Sequence, residues 1–140
     1  MAYEFFPHTG DVGVRIRADS PERLFAHAAE AFADTITDVE TVRASESARL
    51  ELRAPELSLL LHDLLGELLF DFDTGRRLVA SAEVALTQDD DGWVLCAITR
   101  GETLDESRHA IKVLIKGITY HALEVAERDG QWEATVVFDI

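Results

Sequence analysis

Apolar and polar residues alternate from Asp11 to Ala18, with Val12, Val14, Ile16 and Ala18 on one side and Asp11, Gly13, Arg15 and Arg17 on the other. A period of two belongs to a strand with one buried face, and a short strand at Tyr3 to Phe6 is expected before it. The pattern changes at Ser20-Pro21-Glu22. A capping hydroxyl, a proline at the first helical position and an acid in the first turn open a helix there. It should run to about Ile36 and bury Leu24, Phe25, Ala28, Phe32 and Ile36. Strand character returns from Thr41 to Ala54, clearest at Leu50 and Leu52. A second helix begins at Pro55 and carries Leu57, Leu60, Leu61, Leu64, Leu65, Leu68, Leu69 and Phe72 at helical spacing. This stripe is too short for a coiled-coil seam and reads as core; Gly75 ends the helix.

Two hairpins follow. Asp91-Gly92 as a two-residue turn would set Glu83 opposite Arg100 and Val84 opposite Thr99. Asp129-Gly130 as the second turn sets Arg128 opposite Gln131; carried along the strands, this register puts Tyr120 opposite Asp139 and His121 opposite Phe138. One face then holds His121, Leu123, Val125, Trp132, Ala134, Val136 and Phe138, and is the buried one. The other holds Tyr120, Ala122, Glu124, Glu133, Thr135, Val137 and Asp139. The expected fold is α+β: a two-layer domain with a mainly antiparallel β-sheet and two α-helices packed on one side. No linker or repeat divides the chain, so 1–140 reads as a single domain.

Charge narrows the function. Of 140 residues, 27 are Asp or Glu and 13 are Lys or Arg, a formal net charge of −14, while 47% are hydrophobic, enough for a core. Nucleic-acid affinity rests on Lys and Arg displacing counterions, so direct, broad binding of RNA or DNA is disfavoured. No apolar run reaches the ~18 residues of a membrane span, and the N-terminus lacks a basic leader, which points to a cytoplasmic protein away from membranes. The one cysteine, Cys96, excludes an internal disulfide; its apolar neighbours suggest a packed thiol.

Asp11 opens its strand and Asp139 closes the last one, both on polar faces. If these strands are antiparallel neighbours, the two carboxylates meet at one end of the sheet, and the α-carboxylate of Ile140 can join them. Three oxygen donors without a soft ligand suit a hard cation such as Ca²⁺ or Mg²⁺. The competing reading is two solvated strand ends, the usual fate of aspartate. No histidine pair has a metal-binding spacing. His121, on the apolar face, reads as a structural histidine; His8 precedes the Thr9-Gly10 turn and can order the loop presenting Asp11; His27 and His62 read as incidental. Lys116, one of two lysines, is either an anion contact or a neutraliser of nearby acids. Asp89-Asp90-Asp91 reads as a solvated hairpin tip. Glu102, Asp105 and His109 cluster in a loop that is either functional or merely polar.

Four stretches then combine: His8-Thr9-Gly10-Asp11-Val12-Gly13, Gly101-Glu102 with Asp105 and His109, Lys116-Gly117-Ile118-Thr119-Tyr120-His121, and Asp139-Ile140. In this order the chain resembles the archease family, departing only where Gly10 and Gly117 replace alanines and Val12 an isoleucine. The resemblance implies an accessory protein, not an enzyme, that assists an RtcB-type tRNA-splicing RNA ligase by promoting its guanylylation and multiple turnover. It also implies a divalent-cation site at Asp11, Asp139 and the terminal carboxylate of Ile140, with Ca²⁺ as the expected ion and Mg²⁺ or Mn²⁺ as alternatives. Lys116 and His109 are then candidate contacts to the ligase or a phosphate, and His8 and Tyr120 candidate supports of the site. The acidic charge would complement a basic, RNA-binding ligase. A small metal-dependent phosphohydrolase and a general chaperone or adaptor are the competing readings.

Overall fold

A computed structural model describes residues 2–140. Strands β1 (Tyr3–His8) and β2 (Asp11–Ala18) form a hairpin, followed by helix α1 (Pro21–Ile36), a 3-10 turn (Val39–Thr41), strand β3 (Glu46–Ala54) and helix α2 (Leu57–Gly75). The long hairpin β4 (Arg77–Asp89) and β5 (Gly92–Thr103) precedes β6 (Gly117–Ile118), β7 (Glu124–Arg128) and β8 (Gln131–Asp139). The α+β expectation holds and every strand pairing is antiparallel, but the strands divide between two sheets. One runs β1-β2-β8-β6 with β7 also on β8; the other runs β3-β5-β4. The helices join them: α1 packs on β2 and β4, and α2 on β3, β4 and β6.

The helices form where the pattern places them. Ser20 Oγ accepts from the Arg23 amide, and Pro21 opens α1. Leu24, Phe25, Ala28, Phe32 and Ile36 are all buried. Leu60, Leu61, Leu64, Leu65, Leu68 and Phe72 are sealed along α2, each leucine adding roughly 1.5–3 kcal/mol of burial energy. The helix continues through Gly75, and Arg76, at φ 55°, takes the left-handed cap position and donates its amide to Phe72. The stretch expected as strand from Thr41 starts instead at Glu46, because Asp38 caps the short 3-10 turn and delays it.

Two registers differ from expectation. In the β4–β5 hairpin Asp89 faces Gly92, where the expected turn would set Asp90 opposite Trp93, so Glu83 pairs with Ile98 and Val84 with Ala97. The glycine is spent on packing: at φ +132° a side chain on Gly92 would meet the Ala54 carbonyl at 2.6 Å. The turn falls on Asp90-Asp91, held by the Asp89 carboxylate accepting from the Asp91 amide. A two-residue slip preserves the faces, so Arg100 still reaches Glu83 diagonally at 2.8 Å. Cys96 lies on the outer face of this sheet, half-buried with Sγ 3.8 Å from Glu51, rather than packed in the core.

The β7–β8 hairpin has the expected register, Arg128 facing Gln131 and Glu124 facing Thr135. Beyond it, the ladder resumes displaced by three residues, with Gly117 opposite Asp139 and Ile118 opposite Phe138. Residues 120–123 leave it in a tight turn: Ala122 has φ 56° and the Leu123 amide donates to the Tyr120 carbonyl. His121 is therefore exposed, not on the buried face, and Tyr120 is 67% exposed. Val137, expected on the polar face, is fully buried. It shares a cross-strand row with Gly13 and Phe6, whose ring lies across the space a side chain on Gly13 would fill.

Candidate functional site

The sheet end that carries Asp11 is built by a two-residue turn. His8 pairs with Asp11 across Thr9-Gly10, with φ of 31° and 82°. A glycine at the second position adopts this left-handed conformation at no steric cost, so Gly10 favours the turn that presents Asp11. The β2–β8 ladder sets Val12 opposite Phe138. The β2–β8 pairing stops there: Asp11 pairs with His8 and Asp139 with Gly117, so each aspartate lies one residue beyond the last β2–β8 pair, at the same end of the sheet. Asp139 is held from its other side by Gly117 and by the Lys116 amide, which donates to its carbonyl at 2.7 Å. Ile140 packs against the core, which anchors the main chain beside Asp139.

Two carboxylates carried at the same sheet end concentrate negative charge there. A second feature lies beside it. His8 Nδ1 is buried without a hydrogen-bond partner, 4.0 Å from Asp11 Oδ2, and the His8 ring packs on His121 with centroids 4.7 Å apart. Among the described residues, no three His, Cys, Asp or Glu side chains converge on one point. The donor chemistry at this end fits a hard divalent cation, with two side-chain carboxylates that need a further oxygen, such as a main-chain carboxylate, to complete a site. Lys116 is exposed and in no ion pair among the described residues.

Tyr120 does not face Asp139. Its ring stacks on His62 of α2, 4.0 Å apart and 9° from parallel, and His62 Nε2 lies 2.8 Å from the Ile118 carbonyl, which makes that nitrogen the donor. His62 thus ties α2 to the Lys116–His121 stretch, a role that nothing in its helical spacing signals, since its partners lie 56 and more residues away.

Glu102, Asp105 and His109 form a separate clasp. His109 is 2% exposed. Its Nδ1 accepts from the Asp105 amide at 2.9 Å, so the proton sits on Nε2, which donates to Glu102 Oε2 at 3.1 Å. Glu102 also accepts from the Arg43 amide at 2.7 Å and pairs with the Arg108 guanidinium. That guanidinium, followed by the Arg43 amide, holds the Glu102 carboxyl below its ordinary range, and Glu102 in turn raises Arg108. Ser107 lowers Asp105 by donating both hydroxyl and amide to it. With both ring nitrogens occupied inside the fold, His109 pins a loop and presents nothing to a ligase or a phosphate.

The structure therefore sets His8 beside Asp11, carries Asp139 on the neighbouring strand at the same sheet end with Lys116 bonded to it through its backbone, and leaves His109 and Tyr120 in other roles. Among the described residues no helix is long and apolar enough to cross a membrane.

Residues 3–140 match the profile of the Archease protein family (MTH1598/TM1083). The Protein archease of Methanopyrus kandleri is 36% identical over 140 residues, 100% of both chains, and that of Pyrococcus abyssi 35% over 139 residues, 99% of this chain and 98% of the other. The solution structure of Methanobacterium thermoautotrophicum protein 1598 superposes with a TM-score of 0.85 at 32% identity, covering 99% of each chain. The crystal structure of an archease, possible chaperone, from Thermotoga maritima shares the fold, with a TM-score of 0.63 at 16% identity over 96% of this chain and 94% of that one.

Proposed function

The chain belongs to the archease family, and from that premise we propose that it is a cytoplasmic accessory factor, not an enzyme, that activates an RtcB-type tRNA-splicing RNA ligase. In this reading it promotes guanylylation of the ligase and its multiple turnover in tRNA splicing or RNA repair. Asp11, Asp139 and the terminal carboxylate of Ile140 hold a divalent cation, Ca²⁺ in the first instance. The observation that supports the reading is the β2–β8 pairing, whose end pair, Val12 with Phe138, leaves Asp11 and Asp139 each one residue further on at the same end of the sheet.

Nucleotidyl transfer concentrates negative charge on a triphosphate, and a divalent ion at this end supplies the positive charge that orders it. The residues of the chain do the rest. The Thr9-Gly10 turn and the ladder hold the strand ends that carry the carboxylates, so little backbone order has to be gained on docking. Lys116, exposed and bonded through its amide to Asp139, offers an ammonium group to the ligase or to a phosphate at the same end. His8 backs Asp11, its free Nδ1 available to a donor or an ion-bound water. The acidic surface draws the chain to a basic ligase while leaving the RNA to the ligase.

The test is guanylylation of the purified ligase with labelled GTP, with and without this protein. Faster or more complete guanylylation is expected; an unchanged time course at saturating protein refutes the partnership.

A further inference from the structure

An open groove of about 790 Å³ runs between the start of β3, the loop after β5 and the segment that follows His109. Its apolar part is Leu104, Ile111 and Leu114. Ile111 and Leu114 are two of five large hydrophobic side chains exposed on the described surface, at 39% and 51%, and both fall on this one wall. Scattered exposed aliphatics need no explanation, but paired ones lining a groove do.

The wall is held from behind. The Lys112 amide donates to the Ile36 carbonyl, Thr37 Oγ1 donates to the Ala110 carbonyl, and Lys112 Nζ reaches the Asp34 carbonyl at 2.9 Å. The Glu102–Arg108–His109 clasp fixes the preceding loop. A surface rigid before binding loses little entropy when it is occupied.

Charge selects the occupant. The Arg108 guanidinium in the groove is spent on Glu102 and Asp105, and Arg76 lies 5.1 Å over the Phe72 ring. The carboxylates of Glu46 and Glu106 are in no ion pair among the described residues. We propose that this groove is a docking surface for a basic protein segment, one aliphatic or aromatic anchor seated against Ile111 and Leu114 and flanking Lys or Arg side chains reaching Glu46 and Glu106. Leu114 on this wall is two residues along the chain from Lys116, whose amide is bonded to Asp139, so a partner seated here lies a short stretch of chain from the carboxylate end. Naming the ligase as the source of that segment rests on the function proposed above; the groove itself does not.

Two measurements separate the claims. Amide NMR shifts of the labelled full chain are followed while adding a synthetic peptide in which leucine and phenylalanine are flanked by arginines, with a control in which serine replaces both apolar residues. Shifts confined to residues 45–46 and 102–114, lost with the control peptide, are expected. The Ile111→Ser/Leu114→Ser and Glu46→Lys/Glu106→Lys double variants, all at exposed positions, should each weaken the peptide at least tenfold. Shifts scattered over the acidic surface, or equal affinity for the variants, overturn the proposal. In the second measurement the variants are titrated against the ligase. A tenfold weaker complex with unchanged cation binding supports the groove as the ligase's seat, and equal affinity for wild type and variants removes it. If wild type fails to bind the ligase at all, the partnership falls and the peptide result alone decides the groove.

Discussion

Replacing Glu102 by alanine probes how the Gly101-Glu102…Asp105…His109 stretch works. Its carboxylate accepts from the Arg43 amide at 2.7 Å and from His109 Nε2 at 3.1 Å, besides pairing with Arg108. Truncation removes the acceptor of the buried His109 Nε2 and of the part-buried Arg43 amide, and leaving a buried donor unsatisfied costs about 1–3 kcal/mol. His109 retains only a long contact, 3.3 Å, to the Thr41 carbonyl. Arg108 keeps Asp105 and partial solvation, so its loss adds little. The total is roughly 4 kcal/mol, a large share of the stability of a domain this size, and corresponds to a drop in Tm of roughly 10–15 °C. Urea and thermal unfolding followed by circular dichroism measure it. Glu102→Gln, which keeps one acceptor, should lose less. A Glu102→Ala protein within about 1 kcal/mol of wild type would refute the clasp and return Glu102 and His109 to the pool of available surface groups.

Other consequences are as direct. Because Glu102 and Asp105 are held below their unfolded pKa values, their stabilisation is complete above the ordinary carboxylate range, near pH 4, and is lost as pH falls through the folded values; acid unfolding of Glu102→Ala should show a shallower limb than wild type, and parallel limbs would contradict this. Burial and then Asp34 raise the Tyr3 phenol above its ordinary value of about 10, so the stability it lends is present below pH 10 and lost above it; Tyr3→Phe should flatten the alkaline limb of the stability profile. Asp11→Asn and Asp139→Asn should each abolish Ca²⁺ binding in calorimetry while leaving Tm within a few degrees, and wild-type affinity in either variant would remove that residue from the site. Tyr120→Ala should cost less than about 1 kcal/mol, since the ring lies outside the ladder and is mostly exposed; unfolding of this variant would contradict the turn at residues 120–123.

Local signals predict local structure here. Ser20-Pro21, the leucine stripe of α2, the alternation in β2 and the Asp129-Gly130 turn each act within a few residues, and all four elements form as their patterns require. The placement of Asp11 and Asp139 at the same end of the sheet was legible for the same reason, since each sits at the end of its strand. What was not legible depends on distant partners. Gly92 reads as a turn residue until Ala54 is seen packed against it. The register carried from Arg128 toward Tyr120 fails because one left-handed residue, Ala122, turns the chain out of the ladder, and alanine carries no signal for that conformation. His109 looks like surface chemistry in a polar loop until Glu102 and Thr41 close over it. His62 meets Tyr120 only in the folded protein.

The central claim is that carboxylates at the β2–β8 end make this chain an activator of the ligase. Its most direct test is the rate of ligase guanylylation with wild-type protein and with Asp139→Ala, both verified as folded by Tm and circular dichroism. Acceleration by wild type and the unassisted ligase rate with Asp139→Ala are predicted. Full acceleration by the folded Asp139→Ala protein would contradict the account.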